Sequence, residues 1–292
     1  MKKFNLSLRK PEATSDTRLM AFNKVNVEIF FKVYKELHQK YSYSANQIYN
    51  IDETGFSSVA TKDPKILTPR GNRRVVKISS AERGVNVTAV CGMNAVGYFI
   101  SPFLIFPRVK MQPALKNGAP EGTMAVAYPS GWMTSENFVK YLEHFIQHAC
   151  PRENKPVLVL MDNHTSHVSL EVIKLCRKNH ITLLGFPPHT SHRMQPLDVS
   201  IYGPLKTAYS RACEDFLISN PGRLITLYDI ATLFGKAYLK AATVSNALSG
   251  FRTTGIHPVD SQVFDILDFE ASLNVTEICF KRNNTSRICS NI

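Results

Sequence analysis

Residues 157–161 read Val-Leu-Val-Leu-Met, apolar at every position, and Asp162 follows directly. A strand with one wet face alternates apolar and polar side chains; a run without alternation fits a central strand covered on both faces. The segments around it supply its partners. From Asn23 to Lys40, Val27, Phe30, Phe31, Tyr34 and Leu37 recur at helical spacing. Ile48 to Asp52 is a short apolar run ending in Asp-Glu-Thr-Gly, a strand running into a turn. Val85 to Cys91 alternates, with Val85, Val87, Ala89 and Cys91 on one face, and a turn at Asn94 to Gly97 leads back through Tyr98 to Phe106. Pro102 has no N–H for a ladder, which assigns that second strand to a sheet edge.

Residues 107–131 hold Pro107, Pro113, Pro120 and Pro129 and read as a loop. Thr134 caps a helix striped by Phe138, Tyr141, Leu142, Phe145 and Ile146. After the apolar run come a helix through Leu170, Ile173, Leu175 and Cys176, then a strand from Ile181 to Phe186. A further helix starts near Pro196, kinks at Gly203-Pro204 and resumes through Phe216; a last helical region opens at Thr226, with Asp229 at capping-box spacing. This succession predicts an α/β domain with a mixed sheet flanked by helices. The expected division is a linker or tail at 1–22, the folded domain at 23–267 and a polar tail at 268–292.

The formal net charge is +12, and basic residues cluster at Lys2-Lys3, Arg9-Lys10 and from Arg70 to Lys77. Polyanions attract such a surface through counterion release, although a basic protein need not have a polyanion as partner. No apolar stretch approaches the roughly 18 residues of a membrane span, and no apolar leader follows Met1, so a soluble protein with no membrane partner is expected. The six cysteines form no C-x-x-C pair, which fits an intracellular, reduced chain without zinc-finger spacing.

Three acids stand at comparable places: Asp52 at the end of the first strand, Asp162 at the end of the central strand, Asp198 in the first turn of a helix. Ligands of α/β sheets gather beyond the carboxyl ends of strands, and carboxylates that converge there repel unless a divalent cation lies among them. Oxygen ligands of this kind suit Mg²⁺ or Mn²⁺. Each acid also has a local explanation: Asp52 starting a turn with Gly55, Asp162 capping the next helix, Asp198 complementing a helix dipole.

The sequences around the acids go further. Ile-Tyr-Asn-Ile-Asp52-Glu-Thr-Gly, Val-Leu-Met-Asp162-Asn-His-Thr-Ser-His and Pro-Pro-His-Thr-Ser-His-Arg-Met-Gln-Pro-Leu-Asp198 resemble the three blocks of the pogo, Tigger and jerky-like transposases of the mariner-type superfamily. The resemblance extends to Thr-Pro-Arg70-Gly71, Gly131-Trp132-Met133-Thr134, Tyr202-Gly203-Pro204-Leu205-Lys206 and Gly250-Phe251-Arg252-Thr-Thr-Gly255-Ile256, and so spans roughly residues 45 to 260. Leu6 to Glu12 is similar to the end of the family's DNA-binding region; the helix-turn-helix modules of full-length members are not in this sequence. The resemblance implies a ribonuclease-H-like fold, DNA as partner, a possible homo-oligomer on DNA, a nuclear location and two-metal phosphodiester chemistry with Mg²⁺ or Mn²⁺. It implies that Asp52 touches both metals and that Asp162 and Asp198 each support one. The other reading is a domesticated or truncated DNA-binding nuclear protein without catalysis; an intact triad favours the enzyme.

Weaker candidates surround the triad. His164, His167, His189 and His192 come from two copies of His-Thr-Ser-His and suit DNA contact, support of the site, turns or a zinc ion. Glu53, next to Asp52 on a strand, is expected to point to the opposite face. Arg70, Arg73, Arg74 and Lys77 read either as phosphate contacts or as a solvated loop. Trp132 either stacks on a base or anchors the start of its helix.

Overall fold

The structure, a computed structural model, describes residues 15–59, 84–164 and 169–270. In chain order its elements are α1 (Asp16–Ala21), α2 (Lys24–Tyr41), β1 (Ile48–Ser57), β2 (Asn86–Asn94), β3 (Phe99–Phe106) and β4 (Met124–Ala127). There follow α3 (Ser135–Ala149), β5 (Val157–Met161), α4 (Leu170–Lys178), β6 (Ile181–Gly185) and α5 (Ser191–Met194). A π-helical turn at Asp198–Tyr202 then leads into α6 (Gly203–Ser219), α7 (Leu227–Ala241) and α8 (Val244–Thr253).

The strands form one mixed sheet in the order β4-β3-β2-β1-β5-β6. β1, β2 and β3 are antiparallel neighbours, whereas β5 and β6 run parallel to β1. Helices cover both faces. Alternation along the strands divides the core accordingly: Ile48, Phe56, Ala89, Leu158 and Leu160 pack with α2, α6 and α7. Tyr49, Ile51, Val90, Val157, Val159 and Met161 pack with α3 and α4. The apolar run is thus β5, an interior strand whose five residues are all buried.

Local chemistry starts and stops the helices where their caps say it should. The Asn23 side chain accepts from the Asn26 amide to begin α2, and Thr134 does the same for Asn137 at α3. Thr226 and Asp229 form a reciprocal capping box at α7, and Arg223 pairs with Asp229 at 2.8 Å.

Four details depart from the sequence reading. β1 does not turn after Asp52; it runs on through Gly55 to Ser57, because β2 pairs with it along nine rungs from Tyr49↔Asn94 to Ser57↔Asn86. β3 is not an edge strand, since β4, hidden in the proline-rich loop, pairs along its far side. Pro102 is tolerated there because it sits in an irregularity: Val90 pairs with Phe103 but Gly92 with Ile100, leaving the proline outside the ladder. The region from Thr226 is two helices, broken at Ala242-Thr243. Finally, the segment read as linker contains α1, and Phe22 just after it is buried against Phe264 and Phe269, the latter from the segment read as tail.

Candidate active site

The seam between β1 and β5 places the first two acids. The strands pair in parallel at Ile48↔Leu158, Tyr49↔Val159 and Asn50↔Leu160. Continuing that register by two residues sets Asp52 level with Asp162, on neighbouring strands about 4.8 Å apart where they are paired. Alternation gives both the same face: Asp52 follows Ile48, and Asp162 follows Leu158 and Leu160, towards α2, α6 and α7. Asp162 lies one residue beyond the end of β5, where its Oδ1 accepts from the His164 amide at 3.2 Å. Asn163 donates to the Phe186 carbonyl at 2.9 Å. That side chain crosses Gly185 so closely that a Cβ there would stand 1.8 Å from its Oδ1 and displace it.

Asp198 arrives from far along the chain and is fastened by two buried polar groups. Asn50, with no exposed surface, donates from Nδ2 to the Leu160 carbonyl at 3.0 Å and accepts at Oδ1 from the Leu197 amide at 2.9 Å. One side chain therefore joins β1, β5 and the residue before Asp198. Four residues beyond Asp198, the Tyr202 hydroxyl donates to the Asp52 carbonyl at 2.8 Å. Between these ties the chain makes its π-helical turn, a rare form concentrated at functional sites. In the sequence both residues lie within the transposase-like blocks, but neither is given a role there. A polar residue inside an otherwise apolar strand, two before the acid, is the signal that marks Asn50.

Electrostatics tie the three acids together. Burial holds the Asp52 carboxyl well above the usual carboxylate range, and the charges of Asp198, Glu53 and Asp162 push it further. Asp198 is raised by burial and by Asp162, against the pull of a hydrogen bond from Ser191 and the positive charges of Lys206 and Arg18. All three acids are half-buried.

Such a donor set fits divalent cations: hard carboxylate oxygens at one end of the sheet, where burial and the charge of Asp162 raise the proton affinity of both Asp52 and Asp198. Among the described residues, no three His, Cys, Asp or Glu side chains stand together as ligands of a single ion. Sharing of ions between pairs of acids is compatible with that, since Mg²⁺ usually takes one or two carboxylates and completes its shell with water and phosphate oxygens.

The remaining candidates divide. Glu53 lies on the opposite strand face from Asp52, level with Val90 in the α3 and α4 cluster. His164 is exposed beside Asp162. His189 is an exposed turn residue with φ of 62°, and the His192 ring packs edge-on against Phe22 at 6.1 Å. Trp132 is 66% exposed and is not buried as an anchor for α3. Arg70, Arg73, Arg74, Lys77 and His167 lie outside the described residues.

The fold is similar to that of the Mos1 mariner paired-end complex with Mn, at a TM-score of 0.52 and 14% identity over 89% of this chain and 68% of that one. It is similar, too, to the Mos1 strand transfer complex, at 0.52 and 14%, over 86% and 62%. At this identity the likeness establishes the ribonuclease-H-like fold. A protein of Cochliobolus lunatus described as the MFS-type transporter clz9 is 34% identical over 229 residues, 77% of this chain. The chain spans only 24% of that relative's length, and no helix among the described residues is long and apolar enough to cross a membrane. A family model described as DDE superfamily endonuclease matches residues 85–252, which include Asp162 and Asp198. By that match the chain belongs to the DDE superfamily of endonucleases.

Proposed function

We propose that the domain cuts and joins DNA in the manner of a pogo-type transposase, with Asp52, Asp162 and Asp198 holding two Mg²⁺ or Mn²⁺ ions. The observation that carries this reading is the seam: Asp52 and Asp162 in one register on one face, with Asp198 tied to both strands through Asn50. When bound, the ions would activate the attacking oxygen and stabilise the leaving one. The chain's own part is to hold the carboxylates in place before DNA arrives. Asp52 is central, because it feels the charge of both other acids. Asp162 supports one side from the end of β5, and Asp198 the other from the π-helical turn. Burial raises the proton affinity of Asp198, and Ser191, Lys206 and Arg18 oppose that rise, favouring the ionised form that serves as a ligand.

DNA ends are the proposed partner, bound by a homo-oligomer, by analogy with the paired-end assembly of similar fold. The net charge of +12 is consistent with that partner, and a nuclear location is proposed along with it. Nicking of supercoiled plasmid tests the reading. The chain should nick in Mn²⁺ or Mg²⁺ and not in EDTA, and Asp52→Asn, Asp162→Asn and Asp198→Asn should each abolish nicking. A variant of this set that cuts at the wild-type rate would remove that acid from the mechanism.

A further inference from the structure

Trp132, the sole tryptophan, is the most exposed aromatic side chain among the described residues. Its backbone, by contrast, is firmly held. Gly131 occupies a left-handed conformation with φ of 72°; its amide donates to the Tyr128 carbonyl at 2.8 Å, and its carbonyl accepts from the buried Thr88 hydroxyl at 2.7 Å. A Cβ at position 131 would press to 3.1 Å of the Asn86 carbonyl, so the turn depends on glycine. The Trp132 amide donates to the Ser130 hydroxyl at 3.2 Å. A rigid turn thus presents a wet indole.

The indole stands between two clefts of about 300 and 440 Å³ that share Gly55, Thr88 and Trp132 as lining. Each holds ten times or more the roughly 30 Å³ that a water molecule occupies in the liquid, so a heterocycle fits. The two differ in charge. Lys206 lines the first, and the same ammonium acts on the Asp198 carboxylate, which joins this cleft to the acids. Glu53, adjacent to Asp52, lines the second. Phosphate is therefore favoured in the first cleft and an uncharged ring in the second. Gly55 leaves the floor flat: a Cβ there would meet nothing within 4 Å.

We infer that Trp132 is a stacking platform for an unpaired DNA base beside the acid site, with Lys206 taking the adjoining phosphate. An exposed aromatic next to a cation is the usual means of holding a single strand without reading its sequence. This rests on the DNA reading above, and the test separates the two.

The sole tryptophan is also its own reporter. The 292-residue chain would be titrated, with Ca²⁺ in place of catalytic metal, with a fluorescein-labelled duplex bearing a three-nucleotide single-stranded end. The same duplex with that end abasic is the comparison. Anisotropy reports binding, and tryptophan emission reports the subsite. The base-bearing end should quench emission and protect it from iodide, and the abasic end should do neither at equal occupancy. Trp132→Ala should weaken the base-bearing duplex about tenfold and the abasic one less than twofold, with Trp132→Phe between. Gly55→Leu, which fills the floor that the two clefts share, should remove quenching by the base-bearing end. DNA bound with emission and iodide access unchanged overturns the platform and leaves the DNA reading intact. No binding of either duplex overturns both.

Discussion

The seam between β1 and β5 has two halves. In the first, three rungs from Ile48↔Leu158 to Asn50↔Leu160 hold the strands in parallel pairing, between side chains that are almost wholly buried. In the second, the ladder has stopped and the continued register sets Asp52 level with Asp162, whose charge acts on the Asp52 carboxyl. Pairing fixes register to the residue, because a slip of one would send a side chain to the other face. The paired half therefore determines where the charged half sits. Burial, and then the charges of the neighbouring acids, oppose the ionised arrangement, as the raised proton affinity of Asp52 records. Order is supplied by neighbours that have no part in the chemistry.

Removing charge from the second half should have the largest effect. Asp162→Asn or Asp198→Asn should slow nicking about a thousandfold or more, as expected where several kcal/mol of metal-borne stabilisation disappear. Circular dichroism of either variant should be that of wild type. Unfolding of both would return these residues to a structural role.

Breaking the first half instead should cost stability as well as activity. Asn50→Ala leaves the Leu160 carbonyl and the Leu197 amide without their partner, both in fully buried residues. At about 1–3 kcal/mol for each stranded group, the melting temperature should fall by roughly 5–15 °C. Nicking should fall too, because Asp198 loses its tie to the strands. A variant that melts normally would show that the seam does not depend on Asn50.

A smaller effect has the opposite sign. With its pKa raised in the fold, Asp52 opposes folding as it ionises, so the penalty is absent well below its ordinary value of 3.8 and grows as pH rises from there. Asp52→Asn should therefore melt roughly 2–4 °C above metal-free wild type at pH 7, with the gap closing towards pH 4. Mn²⁺ should raise the melting temperature of wild type and much less that of the variant. Equal melting at every pH would mean that neither burial nor the neighbouring charges disfavour the Asp52 carboxylate.

Tyr202→Phe is the finest probe of the comparison, since it deletes one hydroxyl between the π-helical turn and the Asp52 carbonyl. About 1 kcal/mol of stability, or roughly 2–4 °C, should be lost, with a several-fold drop in nicking. An unchanged variant would leave Asn50 as the only polar tie needed.

Much of this molecule is written in short stretches of chain. The unbroken apolar run of β5, the stripes of α2 and α3, the Thr134 cap and the Thr226/Asp229 box depend on residues a few places apart, and local periodicity and hydrogen bonding make them legible. The three acids stood out through the residues flanking them. Whatever depended on a distant partner did not. Gly55 reads as a turn until β2 pairs across it, and Pro102 reads as an edge until β4 closes the far side. Four residues of β4 inside a proline-rich loop carry too little pattern to announce a strand. Phe22 joins the core only because α1 folds back against the segment around Phe269. The convergence of the site is of the same kind. Sequence supplied Asp52, Asp162 and Asp198, but bringing them together took a buried amide and a tyrosine hydroxyl reaching across 147 and 150 residues of chain, and contacts of that separation exist only once the sheet has formed.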